Sequence, residues 1–172
     1  MQTFLTQQIA KQVSTNLNAK FEVRRVDFVF FNKLGLSDIK IEDQQGEILL
    51  QSEKLTVSIQ HINPSKRSIG LNQIILQNAA INLNTDIDSV LNLKFIIDAI
   101  TPPDRADTWN IALKAVQISN SSFSYKKYNP VEKEFGINFQ DLFLSELNLL
   151  IDNINLNPDT TSFEIRYLNL NE

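Results

Sequence analysis

The residues in this chain that could do chemistry are few and scattered. Asp38, Glu42 and Asp43 are acids close together in sequence. Neighbouring carboxylates can hold a hard cation, but three acids at a strand and the turn after it fit a solvated turn better. His61 is the single histidine. It stands beside a Pro-containing connection and reads as a surface residue. Ser121 and Ser122 have no partner histidine and no elbow glycines, so nucleophilic catalysis has no support. With four glycines in the whole chain, there is no Gly-rich phosphate loop. Lys20, Arg24 and Arg25 form a small basic patch, which reads as a solvated face. Cysteine is absent, which excludes disulfides and thiolate metal sites and suits an oxidising compartment. The expectation is a protein that is not an enzyme and that needs no metal and no cofactor.

The apolar residues are more informative, because their spacing fixes the elements. At 172 residues, with 42% hydrophobic and 21% charged residues, the chain fits one folded domain with a real core. A net charge of −4 gives no reason to expect a nucleic-acid partner or an anionic membrane surface. No run of about 18 apolar residues is present, so no segment reads as membrane-spanning. No signal peptide is visible at Met1.

Residues 20–60 organise the rest. Phe28, Phe30 and Phe31 end a first extended segment. Leu36 to Glu42 is a second, and Ile48 to Gln60 a third. Leu55, Val57 and Ile59 alternate with Thr56, Ser58 and Gln60, the period of a strand with one buried face. The polar turns Asn32-Lys33 and Asp43-Gln44-Gln45-Gly46 make the unit an antiparallel meander. Before it, Thr3 to Leu17 reads as an amphipathic helix with Leu5, Ile9, Val13 and Leu17 on one stripe. After it, strands are expected at 69–76 and 80–83, then a helix over 86–101 stopped by Pro102-Pro103. Further strands are expected at 110–119, 122–128, 135–144, 147–156 and 162–170.

Two irregularities recur. The alternation changes phase between Phe21/Val23 and Val26/Phe28, and again near Ile74–Leu76 and Leu142–Leu144. A phase break marks a bulge or a corner. There is also a faint repeat: Leu76-Gln-Asn78-Ala-Ala-Ile81-Asn-Leu83 aligns with Ile118-Ser-Asn120-Ser-Ser-Phe123-Ser-Tyr125. Ile41-Glu-Asp43 and Leu144-Ser-Glu146 echo its first half. The repeat reads as a reused hairpin with a tight polar turn, stacked into a long sheet.

A soluble sheet must cover its apolar face. Two helices at most are available here for eight or more strands. The strands therefore close as a two-sheet sandwich, or apolar surface remains as a groove. An apolar groove accepts an acyl chain, since each buried methylene is worth about 0.8 kcal/mol. Residue pattern alone leaves both options open.

The stretch VDFVFFNKL followed by GLSDIKIEDQQGEILLQSEKLTVSI resembles the amino-terminal end of TamB-like proteins of the AsmA superfamily, in their Bacteroidetes form. The matching positions are Phe30, Phe31, Asn32, Leu34, Asp43, Gly46, Leu49 and Leu50. They are folding residues, not a catalytic motif. The likeness extends loosely over residues 2–170, through Leu91 to Asp98 and a strand-rich part opening near Trp109. It implies a mainly β fold with an amino-terminal helix, one short internal helix and a strongly curved antiparallel sheet shaped as a groove. It implies a periplasmic domain, tethered to the inner membrane by a segment upstream. It also implies a role in carrying phospholipid to the outer membrane or in assembling proteins there. The implied partners are phospholipid acyl chains and an outer-membrane assembly protein. The groove residues are then Phe28, Phe30, Leu55, Val57, Ile59, Leu76, Ile81 and Ile118. The rival expectation is an adhesin-like β-sandwich that binds protein, against which the amino-terminal helix speaks.

Overall fold

Alternating strands that must hide one face pair with their sequence neighbours first. β1 (Phe21–Phe28), β2 (Lys33–Glu42) and β3 (Ile48–Asn63) do so, as consecutive antiparallel neighbours. This is the meander expected over residues 20–60. The structure is a computed structural model and describes residues 11, 14, 15, 19–29, 32–100, 110–156 and 161–171. The helix expected over 3–17 lies outside the described residues, apart from positions 11, 14 and 15. Ser14 reaches the start of β1: its Oγ accepts the Phe21 N–H at 2.9 Å and donates to the Phe21 carbonyl at 3.2 Å.

The β2–β3 turn is set by Asp43. Its Oδ1 accepts the backbone N–H groups of Gln45 (3.0 Å) and Glu47 (2.9 Å). Gly46 takes φ 86°, where a residue without Cβ is unstrained. β4 (Ser68–Asn84) closes a long hairpin with β3. It is one strand where two had been expected.

Beyond β4 the all-antiparallel expectation fails. The sheet has eight strands in the order β1-β2-β3-β4-β6-β7-β8, with β5 (Asn110–Leu113) also on β4. β5 and β6 (Ala115–Lys126) both run parallel to β4. β7 (Asp141–Leu156) and β8 (Thr161–Asn171) return to antiparallel pairing. The sheet is therefore mixed. The physical reason is the length of the connection from Thr85 to Lys114: parallel neighbours need a crossover of about a dozen residues or more.

That crossover contains α1 (Lys94–Ile100), which is shorter than the helix expected over 86–101. Asp86 and Asn92 spend their side chains on non-helical backbone. Asp86 Oδ1 accepts from the N–H groups of Asp88 and Val90. Asn92 Oδ1 accepts the Asn84 N–H, and its amide donates to Asp43 Oδ2. Such bonds compete with a helical start. Strand boundaries shift for similar reasons. Residues 135–140, expected to be extended, belong to a hydrogen-bonded connection, and β7 takes the place of two expected strands.

The repeat has a different meaning from a hairpin. Leu76 pairs with Ile118, Ala80 with Ser122, Ile81 with Phe123 and Leu83 with Tyr125. The two copies are parallel neighbours at the alignment register, each inside one continuous strand. Their shared Asn is a left-handed residue within the strand, where the ladder is interrupted, not a turn between strands. Asn78 and Asn120 both have φ 49°, as do Asp38 and Glu146 at 50°. The repeated form is apolar-polar-Asn or acid: Leu36-Ser-Asp38, Leu76-Gln-Asn78, Ile118-Ser-Asn120 and Leu144-Ser-Glu146. Ile41-Glu-Asp43, expected to belong, ends in the β2–β3 turn instead. The register skips Arg24/Asp38, then Asp38/Glu53, then Glu53/Asn78, then Asn78/Asn120. The interruptions therefore line up into a seam that crosses the sheet.

The seam is stitched by polar groups. Arg24 pairs with Asp38 (2.6 Å), Asn78 donates to Glu53, and Asn120 donates to Asn78 Oδ1 (2.8 Å). Buried serines replace ladder bonds that the seam breaks. Ser52 Oγ lies 3.0 Å from the carbonyls of both Lys54 and Gln77, and Ser121 Oγ accepts the Ala79 N–H at 3.0 Å. Unmade, such buried bonds would cost about 1–3 kcal/mol each.

A residue in the left-handed region reverses which parity points to which face. In β2, Leu34 and Leu36 face one way before Asp38, and Ile39 and Ile41 face the same way after it. The phase break read between Val23 and Val26 is this seam; those read at Ile74–Leu76 and Leu142–Leu144 lie in unbroken register, and the seam crosses those strands further on, at Asn78 and Glu146. The sheet keeps one apolar face because the alternation shifts at the same place in β1 to β4, β6 and β7. The core lies on that face in two clusters. One joins Val26, Leu36, Ile39, Ile41 and Leu49, with Leu93, Phe95 and Ile96 from α1 and the residue before it packed on top. The other joins Leu76, Ala79, Ile118 and Leu147.

Candidate functional site

Register assembles the apolar face into rows that cross the strands. One row runs Val26–Leu36–Leu55–Leu76–Ile118–Leu149–Leu168. The next runs Phe28–Leu34–Val57–Ile74–Val116–Ile151–Ile165. Across the seam lies Phe21–Ile41–Leu50–Ile81–Phe123–Leu144. Directly opposed side chains in such rows are near enough to touch.

The residues assigned to a groove fall into these rows. Leu55, Leu76 and Ile118 share the first, Phe28 and Val57 the second, and Ile81 lies in the third. Ile59 pairs with Leu71 one step beyond Val57. Phe30 lies outside the described residues. Their exposure differs. Leu76 and Ile118 are buried at 8% each, Leu55, Val57, Ile59 and Ile81 are half-buried, and Phe28 is 72% exposed. Sequence reasoning missed Leu34, Ile74, Val116, Ile151 and Ile165, which complete the Val57 row. The signal was present: once the repeat is read as a parallel register, Ile74 falls opposite Val116.

What covers this face differs from one half to the other. α1 and Leu93 cover the β1–β3 cluster. Among the described residues, every one packed around the Leu76–Ile118 cluster belongs to a strand. Among the described residues, no second sheet lies on it.

The polar candidates do not converge. Asp38 pairs with Arg24, and Asp43, only 4% exposed, caps its turn. Glu42 accepts from Lys40 (2.7 Å) and Lys20 (3.1 Å). Among the described residues, no group of His, Asp and Glu side chains forms a metal site. His61 lies across from Gly70, where a Cβ would come within 2.5 Å of the imidazole. The ring thus covers a glycine in the strand. Ser121 is a seam serine. The basic trio Lys20, Arg24 and Arg25 is paired with Glu22, Asp38 and Asp27. A cleft of about 420 Å³ between the β2–β3 turn and α1 is lined by Asp43, Glu47, Asn92 and Lys94. The Asp43 and Asn92 side chains there are already engaged in holding the turn and the crossover.

The Glu42 contacts have a pH signature. Hydrogen bonding to Lys40, then to Lys20, holds the Glu42 carboxyl below its ordinary value of 4.5. A carboxyl depressed in the folded state contributes stability that is present above that ordinary value and is lost as pH falls through the folded value. Replacing Glu42 with Gln should therefore remove a small stabilisation at neutral pH and leave acid stability unchanged. Melting curves of both proteins across the acid range check this, and equal melting temperatures at neutral pH would refute it.

No protein-family description, curated protein or solved structure matches the chain. The geometry of the apolar face is therefore the main guide to function.

Proposed function

We propose that the chain is a lipid-binding module whose apolar sheet face holds phospholipid acyl chains. The observation that carries this is the Leu76–Ile118 cluster: an apolar surface several strands wide, built among the described residues from strands alone. A seam of interrupted pairing crosses the same sheet and favours a bend, because the strands lose their regular pleat at left-handed residues there. A bend at aligned positions in successive strands would crease the face into a groove. The resemblance to TamB-like proteins of the AsmA superfamily agrees with this. That resemblance implies a periplasmic module tethered to the inner membrane, acting in phospholipid transport to the outer membrane or in protein assembly there. The adhesin-like sandwich has less support, since its two facing sheets would need strands that this single sheet already uses.

Titration with a fluorescent fatty-acid probe tests the proposal. Saturable binding with blue-shifted emission, displaced by phospholipid, is expected. A probe that stays in water at all protein concentrations would refute it.

A further inference from the structure

One end of the sheet carries apolar side chains that neither core cluster uses. The connection between β6 and β7, residues 127–140, exposes Val131 (69%), Phe135 (84%) and Phe139 (70%), with Tyr128 beside them. The neighbouring connection after β4 exposes Ile87 (72%). The two leave the same end of the sheet, where Asn84 pairs with Lys126 and Lys126 with Asp141. They are tied together by the Tyr128 N–H donating to Thr85 Oγ1 at 3.1 Å.

We infer that these two connections form a docking site for the surface of a zwitterionic phospholipid bilayer. Two observations favour a bilayer over a protein partner. The β6–β7 connection pairs part of its backbone internally: the Val131 N–H donates to Gln140 Oε1, Lys133 Nζ to the Ile137 carbonyl and Asn138 Nδ2 to the Val131 carbonyl. Each backbone group so paired costs less on entering an apolar phase. The charges of residues 127–140 also balance, with Lys127 and Lys133 against Glu132 and Glu134. This suits headgroups carrying both signs. Exposed apolar clusters of this kind mark interaction sites, and aromatic rings are favoured at the membrane interface. The site is separate from the acyl-binding face, so either can fail without the other.

The chain has no cysteine, so single labels are clean. Phe135→Cys, carrying an environment-sensitive fluorophore, should blue-shift with phosphatidylcholine vesicles. The same label at Lys66→Cys, in the β3–β4 turn at the opposite end, should not. Phe135→Ser with Phe139→Ser should fold, because both side chains are already in water, and should lower vesicle partitioning roughly ten- to a hundred-fold. The proposal is overturned if the label at 135 does not respond, if both labels respond alike, or if the double variant partitions as the parent does. Self-association that the double variant abolishes, without vesicle binding, would overturn it in favour of a second copy of the chain.

Discussion

Val57→Glu should fold and should lose most of its affinity for an acyl probe. Val57 is half-buried and stands between Leu34 and Ile74 in its row. In a closed core an unpaired carboxylate costs several kcal/mol or shifts to its neutral form. A domain stable by roughly 5–15 kcal/mol would unfold or come close to it. On an open face, water reaches the carboxylate, and the loss is mainly that of apolar contact, about 1–2 kcal/mol. Circular dichroism should show a cooperative melt at a modestly lower temperature, and probe affinity should fall by about ten-fold or more. A variant that cannot fold would mean that the face is closed. One that folds and binds as the parent does would remove acyl contact from this position.

Asn78→Val together with Asn120→Val should be the most damaging pair on the polar side. Both positions have φ 49°. Asn tolerates this conformation and a β-branched residue does not. Each substitution should store about 1–3 kcal/mol of strain. The pair also removes the 2.8 Å bond from Asn120 to Asn78, worth about 0.5–1.5 kcal/mol net. For a domain of this length each kcal/mol moves the melting temperature by about 2–4 °C, so a fall on the order of 10–20 °C is expected. Glycine at both positions keeps the backbone relaxed and should cost much less. If the valine pair melts with the parent, the seam carries no conformational demand.

Much of this fold was legible because alternation is a local signal. The meander over residues 20–60 follows from Leu55, Val57 and Ile59 and two polar turns. The phase break in β1 was also visible and belongs to the seam, whereas those read at Ile74–Leu76 and Leu142–Leu144 fall short of Asn78 and Glu146. The alignment of the seam from strand to strand was not visible, because register is a relation between strands that periodicity in one strand cannot report. The repeat carried that information. Asn78 and Asn120 looked like turn residues because Asn favours both turns and left-handed backbone. The parallel β4–β6 pair was hidden for a related reason: short connections announce antiparallel neighbours, whereas the crossover after β4 announces only that some partner is distant. The helix expected from Asp86 shrank because Asp86 and Asn92 bond locally to backbone. Leu55 and Val57 were placed on the apolar face by parity. Ile74 and Val116 needed the register to join them.

The central claim is that one face of the sheet, and not the other, meets acyl chains. Photo-crosslinking from adjacent positions measures this directly. A benzophenone side chain at Leu55 or at Val57 should crosslink to phospholipid, while the same group at Thr56, which points to the opposite face, should not. Crosslinking from Thr56 as strong as from its neighbours, or none from Leu55 and Val57, would contradict the account.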